Sequence, residues 1–390
     1  MDSTTNLRRR VLVGAIAAGL MLALSNCSSI GGSQAATPTV PLDSAQLAAI
    51  RSAQAAVDRA RSAGGAAPAP APRPAISDKK IAIVTLSTDE SGAVPIAGIE
   101  AAAKAIGWST TVFNANHDIA QVSALVRRAV SAGYAGIVPV VIDCGFAANA
   151  FQEAKAQGVV VIPVNAVDCD DPMSPAKGES GFSAEIPTAA GNTDAFWKQA
   201  GIDAANKVIA DSGNQARVIT VVDPELGILN AMTEGFRETI AAYKGSEIVE
   251  TVSFTTPDYT SGKLTTMIQT ALSKHPDATY VKSPFTAATA QYVVPAVTAS
   301  HCGVKVIGGE GLPSELGLIR SGKVLSTTSL PGQWLGWAVI DTFNSVFSGQ
   351  PPVNSGLTWV TVDKDNVPDG DAIAANVDYE SVYRQAWGRS

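Results

Sequence analysis

Charge is scarce in this chain of 390 residues: Lys, Arg, Asp and Glu together make up 16 %, and their formal sum is −7. An acidic chain lacks the Lys/Arg excess that neutralises phosphates, so nucleic acid is not an expected partner. Histidine is scarcer still. His117, His275 and His301 are far apart and fall at helix ends, where solvated or capping roles account for them without a metal or nucleophile site. Catalytic signatures are missing too. "GESGF" (178–182) has the wrong spacing for a Gly-x-Ser-x-Gly elbow, no Walker loop occurs, and "GGEGLP" (308–313) lacks the third glycine of a dinucleotide cradle. No enzyme, cofactor or metal site is therefore expected. The apolar stretch Val11–Leu24 stops well short of the roughly 20 residues that cross a bilayer as a helix, which sets aside a lone membrane span.

What is present begins with Arg8-Arg9-Arg10, the short apolar stretch and the small residues after it, the layout of an export signal. Leu24-Ser25-Asn26-Cys27 resembles the bacterial lipobox, whose cysteine is diacylated and becomes the first mature residue. Asn26 departs from the Gly, Ala or Ser usual before that cysteine. An ordinary signal peptide is the alternative, and the arginines also suit a twin-arginine signal. Loss of residues 1–26, with three arginines and Asp2, moves the charge from −7 to −9. Outside a reducing cytosol, the remaining Cys144, Cys169 and Cys302 predict one pair and one leftover. Cys144–Cys169 is the candidate pair, with three buried free thiols as the alternative.

Residues 27–78 read as a tether. "SSIGGSQAATPTVP" is small and polar, "AAPAPAPRPAISD" (66–78) should be extended, and Ser44–Ser62 between them is Ala-rich enough for a short helix. A stalk holding a folded body off the membrane is the plain reading; a partner-binding helix is the other.

From Lys79 the periodicity changes to Val/Ile runs alternating with amphipathic stretches, the pattern of βα units around a parallel sheet. Strands are expected at Lys80–Leu86, Ser109–Phe113, Gly136–Ile142 and Val159–Val164, with helices at Ile96–Ile106, Ile119–Ala132 and Ala147–Gln157. The second half repeats the order, with strands at Arg217–Val222, Glu247–Phe254, Thr279–Lys282 and Val304–Ile307. The expected fold class is α/β, with two Rossmann-like lobes whose parallel sheets meet at a cleft. Open sheets of this kind bind ligands at the carboxyl ends of their strands.

Seven segments then carry a resemblance: "GIEAAAKAIGW", "AVSAGYAGIVPVVID", "FQEAKAQGVVVIPVN", "MTEGFRETI", "LSKHPDATYV", "KVIGGEG" and "GLTWVTVDKDNVPD". In order and spacing over about residues 79–370 the chain resembles the type I, ribose-like solute-binding proteins of ABC importers. LacI-type repressors share this body but begin with a DNA-binding helix-turn-helix, where this chain carries an export signal. The resemblance implies a three-segment hinge near Ser183–Pro187, Gly311–Pro313 and Pro351–Gly356. One lobe would comprise 79–184 with 312–350, and the other 185–311 with 351–390. It further implies an ABC permease as partner and a monomer held to the membrane by its lipid anchor.

Strand ends and the loops after them supply the candidate ligand contacts: Ser87, Thr88, Asp89, Asp143, Asn165, Asp223, Asp258, Tyr259, Phe285, Glu310 and Trp334, with Asn230 where the family usually places an arginine. Carboxylates and amides serve hydroxyl groups, and aromatic rings cover the apolar faces of sugars. Turn formation and helix capping are the plainer roles of each Asp. Asn165-Ala166 stands in place of an Asp-Arg pair and Ser283-Pro284 in place of Asn-Asp, so a ribose-type bonding set is not carried over. The loops hold several carboxylates and no arginine, with Lys282 the nearest cation. Neutral or cationic ligands are therefore favoured: a sugar or polyol first, an amine-bearing or aromatic compound second. The clamp could equally present its ligand to a chemoreceptor or sensor kinase.

Overall fold

The computed structural model describes residues 43–68, 72–300 and 303–389. The export-signal segment 1–26, the lipidation candidate Cys27, the stretch up to residue 42, and His301 with Cys302 lie outside the described residues.

Helix α1 (Ser44–Ser62) opens with a capping box in which Asp43 and Gln46 exchange side-chain and backbone hydrogen bonds of 2.7 and 3.0 Å. Its Ala53, Val57 and Ala60 are buried; Ala53 shares a core with Ala204, Ala205 and Val208. Arg61, in the last turn of the helix, pairs with Asp363. The chain then crosses the body, Ala66 N–H donating to the Gly356 carbonyl at 3.0 Å. Gly65, at φ +82°, lies where a side chain would run into the Trp334 ring. Arg73 is only 8 % exposed, and its Nε is 3.0 Å from Asp341 Oδ1. Asn344 accepts from Ile76 N–H at 2.9 Å and donates to the Arg73 carbonyl at 3.0 Å. Over its described part, the expectation of a flexible tether is thus corrected. A composition of Ala and Pro hides a few polar anchors whose partners lie far along the chain.

The first sheet has the order β2-β1-β3-β4, all parallel, from β1 (Lys80–Thr85), β2 (Ser109–Asn114), β3 (Gly136–Val140) and β4 (Val160–Val161). Strand β1 lies between two neighbours and is buried from Ile81 to Thr85, which explains its unbroken apolar run. Helices α2 (Glu90–Ile106), α3 (Ile119–Ser131) and α4 (Ala148–Ala156) follow β1, β2 and β3. The expected strand Val159–Val164 shrinks to two residues and an isolated bridge, Val140 to Val164.

After a long irregular stretch, α5 (Thr193–Ser212) leads into the second lobe. There β5 (Arg217–Val222), α6 (Gly227–Ala242), β6 (Glu247–Ser253), α7 (Thr256–Thr260), α8 (Lys263–Lys274) and β7 (Tyr280–Lys282) alternate. Helix α9 (Thr286–Ala288) passes through a π turn at Thr289–Val293 into α10 (Val294–Ser300). Strand β8 (Lys305–Ile307), α11 (Pro313–Arg320) and β9 (Ser326–Ser329) follow. With β10 (Val360–Asp363) the sheet order is β10-β9-β8-β7-β5-β6, only β10 antiparallel to its neighbour.

Strand β9 corrects the expected placement of 312–350 in the first lobe. It pairs with β8 and β10, and α11 buries Leu316 and Ile319 in the second lobe's core. The passage between lobes therefore falls at Leu330–Gly332, not at Gly311–Pro313. "STTS" does not read as a buried strand because its hydroxyls find partners in the second lobe: Thr327 bonds Glu315 at 2.6 Å, Thr328 the Gly309 carbonyl at 3.0 Å and Ser329 the Gly311 carbonyl at 2.8 Å. Beyond it, α12 (Gly332–Phe347) returns to the first lobe. A Cβ on Gly98 of α2 would fall on the Gln333 backbone, and one on Gly336 of α12 on Gly98 and Ile99. The tail is corrected likewise. Helix α13 (Tyr379–Ala386) packs on α12 of the first lobe, Tyr379 stacking on Trp334 at 4.9 Å and Trp387 on Trp337 at 5.6 Å. Among the described residues, no helix is long and apolar enough to cross a membrane.

Candidate functional site

Loops leaving the carboxyl ends of strands in one lobe touch those of the other, so the two sheets face each other across a cleft. The two sides of that cleft differ in how they meet.

On one side the lobes are bonded directly. Asp143, after β3, is 2 % exposed; one carboxylate oxygen accepts from Val167 N–H at 2.9 Å in its own lobe and the other from Gly227 N–H at 2.7 Å in the facing lobe. Gly227 opens α6, whose own cap residue Leu226 supplies no side-chain bond, so Asp143 caps a helix of the other lobe. A side chain at Gly227 would collide with Val167. Asn230 donates to the Met173 carbonyl at 3.3 Å and to the Pro224 carbonyl at 3.2 Å. Burial pushes the Asp143 carboxyl up to about 6 despite the two N–H groups, with Asp171 and Asp223 adding to the rise. Asp223, whose oxygen accepts from Glu225 N–H at 3.0 Å, is also pushed up to about 6 by burial.

The other side carries groups with fewer obligations. The β1–α2 loop presents Ser87, Thr88 and Asp89; Asp89 is partly exposed, accepting from Ser91 Oγ at 2.8 Å and lying 3.7 Å from His117 Nε2. Facing it are Tyr259, Phe285 and Glu310. Asp89 and Glu310 stand close enough to Tyr259 that, after burial and the neighbouring Tyr292, their charges help push its hydroxyl up to about 12. Tyr259 and Phe285 rings lie 5.6 Å apart. Phe285 packs both on the core that spans the two lobes and on the second lobe's own core. The rim is closed by Glu90, which accepts from Ser314 N–H at 3.2 Å and Ser314 Oγ at 2.8 Å.

The Glu310 loop is held from beneath. Glu315 is wholly buried and accepts from Gly309 N–H, Gly311 N–H, Thr289 Oγ1 and Thr327 Oγ1 at 2.5 to 2.9 Å. Gly309 rests against the Phe285 backbone, and Gly311 sits at φ +63°. Lys282, buried below, donates to the carbonyls of Ser283 and Gly308 and does not reach into the cleft. Burial pulls its ammonium down to about 8. Glu310 is pushed up to about 8, by burial first, then by Glu315 and Asp89.

Besides Asp143, three expected contacts have other roles. Trp334 is 0 % exposed beneath Tyr379 and Gly65, so it is an anchor of the packed termini. Asp258 closes a capping box with Thr255 and pairs with Lys263 at 2.8 Å, which holds its carboxyl below the usual range. Asn230 joins loops, as above. Asn165 remains at the cleft, half-buried at φ +53°. A residue not anticipated is Val141, at φ +54° directly after β3. A β-branched side chain rarely adopts that conformation, and such strain gathers at functional sites.

Cys144 and Cys169 are joined in a disulfide, with Cα atoms 5.1 Å apart. It fastens the loop that carries Val167 and Met173. Asp168 lies beside the two sulfurs, but sulfurs bonded to each other are not available to hold a metal. A groove of about 500 Å³ also opens here, lined by Asp168, Ser180, Glu185, Asn192 and Asn354. It follows the connection between lobes rather than the strand ends, so its size does not make it the ligand site.

The periplasmic binding protein domain family matches residues 81–351, and the chain belongs to that family. No match was found among curated proteins. Solved structures agree on the fold at low identity. GanP, a glucose-galactose binding protein from Geobacillus stearothermophilus, is 18 % identical with a TM-score of 0.62, covering 75 % of this chain and 99 % of its own. A solute-binding protein of an ABC transporter from Agrobacterium vitis, bound with alpha-D-tagatopyranose, is 19 % identical with a TM-score of 0.63, over 76 % and 99 %. A third, from Mycobacterium smegmatis with bound glycerol, is 22 % identical with a TM-score of 0.61, over 76 % and 99 %.

Proposed function

We propose that this chain is the extracytoplasmic substrate-binding component of an ABC importer. It captures a small hydroxylated solute, a sugar or polyol, between its lobes and delivers it as a monomer to a membrane permease, with Cys27 as the lipid anchor. The observation that carries this reading is the facing of two strand-end loop sets, in which Ser87, Thr88, Asp89 and Asn165 meet Tyr259, Phe285 and Glu310. Hydroxyl-rich ligands need acceptors, donors and an aromatic face together, and this side of the cleft offers all three. The sugars and polyols named for the similar structures point the same way. Closure stabilised by bound solute is ordinary hinge behaviour, driven by tighter binding to the closed state.

The test is a thermal-shift screen of the full chain against sugars and polyols, followed by calorimetry. A saturable rise in melting temperature that follows RT ln(1 + [L]/Kd) supports the reading. Turnover of the bound compound, instead of its recovery unchanged, would refute it.

A further inference from the structure

The site assigned above contains two carboxylates, Asp89 and Glu310, that no Lys or Arg among the described residues pairs with directly, and this deepening of its specificity rests on the importer reading. The neighbouring acids are occupied: Asp258 by Lys263 and Thr255, Glu225 by Thr256 N–H and Oγ1 at 2.7 and 2.6 Å, and Glu315 by its four close donors. Lys282 is the one cation below the loop, and its bonds run to backbone carbonyls. Asp89, exposed and holding Ser91 Oγ with His117 nearby, and Glu310, holding the Thr286 N–H, are left with lone pairs facing the cleft. Beside them is an aromatic cluster, Tyr259 lying 4.9 Å from Tyr292, 5.6 Å from Phe285 and 6.3 Å from Phe254. Tyr292 OH donates to the Tyr259 carbonyl at 2.7 Å, fixing the pair. Carboxylates beside aromatic rings form an environment for a cation, since ring faces attract positive charge and a partly buried carboxylate such as Glu310 gains from one.

We propose that the solute carries a protonated amine on its hydroxylated frame, an amino sugar or amino polyol, with the amine held between Asp89 and Glu310 against the Tyr259 and Phe285 rings. The rise of Glu310 to about 8 fits this arrangement. Asp89, Glu315, Lys282 and Tyr259 are the titratable groups around it. In the ligand-free clamp near neutral pH, Glu310 holds a proton; an ammonium group takes over the proton's role and the proton leaves to solvent.

The experiment is calorimetry on the full chain near neutral pH, comparing D-glucosamine, D-galactosamine and scyllo-inosamine with D-glucose, D-galactose and scyllo-inositol, repeated in buffers of different ionisation enthalpy. At least one amine should bind about tenfold or more tighter than its parent, roughly the worth of a cation–π contact on desolvation, and should release a proton. Glu310→Gln should abolish the proton release and weaken the amine at least about tenfold more than its hydroxylated parent, so that most of the preference is lost. A hydroxylated parent that binds as tightly as its amine overturns this inference and leaves the importer reading standing. Binding by none of the six overturns it together with the hydroxylated-solute reading.

Discussion

The two sides of the cleft are built from the same materials, strand-end loops rich in Asp and Glu, yet they do opposite things. On the Asp143 side each carboxylate oxygen meets a backbone N–H, one in each lobe, and nothing is left over for a ligand. On the Asp89 side, Asp89 faces the aromatic rings across the gap and Glu310 stands beside them. A carboxylate at a strand end is thus not a ligand contact by virtue of its place. What decides its role is whether the protein's own N–H groups and cations already satisfy it.

Several measurements would break or sharpen that contrast. The scale is set away from both sides: Asp341→Ala removes the buried carboxylate to which Arg73 Nε and Trp387 Nε1 both donate and should cost about 3–5 kcal/mol in denaturant unfolding, with ligand affinity preserved once the protein is folded. Replacing Cys144 and Cys169 together by Ser should cost about 2–4 kcal/mol, read as a lower melting temperature, and should loosen only the Asp143 side. Asp143→Ala strands two N–H groups and should weaken closure by about 1–3 kcal/mol. Small-angle scattering should then find a wider ligand-free clamp, and an unchanged radius of gyration would mean the latch contributes nothing. The smallest effect belongs to Asp258→Ala: a slight fall in melting temperature from the broken capping box with Thr255 and no change in ligand affinity by calorimetry.

Acidity supplies a further test on the latch alone. Closed, Asp143 sits near 6, above its usual 3.8, so the closed form binds a proton more tightly than a form in which that carboxyl is solvated. Closure is therefore disfavoured above about pH 6 and gains as pH falls from there towards 4. Asp223 shifts in the same direction. A clamp that scatters as more compact at pH 5 than at pH 7.5, with the difference reduced in Asp143→Ala, is the expected result.

The parallel strands were readable because buried strands leave Val/Ile runs, as in "KIAIVT" and "RVITVV". Strand β9 was not, since four hydroxyl residues look like a turn until Glu315 and the Gly309–Gly311 carbonyls are placed beside them. The docking of 43–68 and 72–76 was hidden for a similar reason. No local pattern announces that Arg73 will meet Asp341 or that Asn344 will bond two backbone groups of the same segment. At the site, residue types at strand ends pointed to the cleft, but capping roles such as that of Asp258 and the cross-lobe bond of Asp143 are set by three-dimensional neighbours. Local spacing carries the first kind of information and not the second.

The segment that fastens the chain's beginning to its end also orders events in time. Arg73 and Asp341 are 268 positions apart, and Arg61 and Asp363 are 302 apart. A chain made from its amino end exposes α1 and the Arg73 stretch long before α12 and β10 exist, and closing so long a loop is slow. The earliest residues of the folded body are therefore the last to be secured. Until they are, that stretch is open to proteases, and its protection marks a chain that has arrived whole.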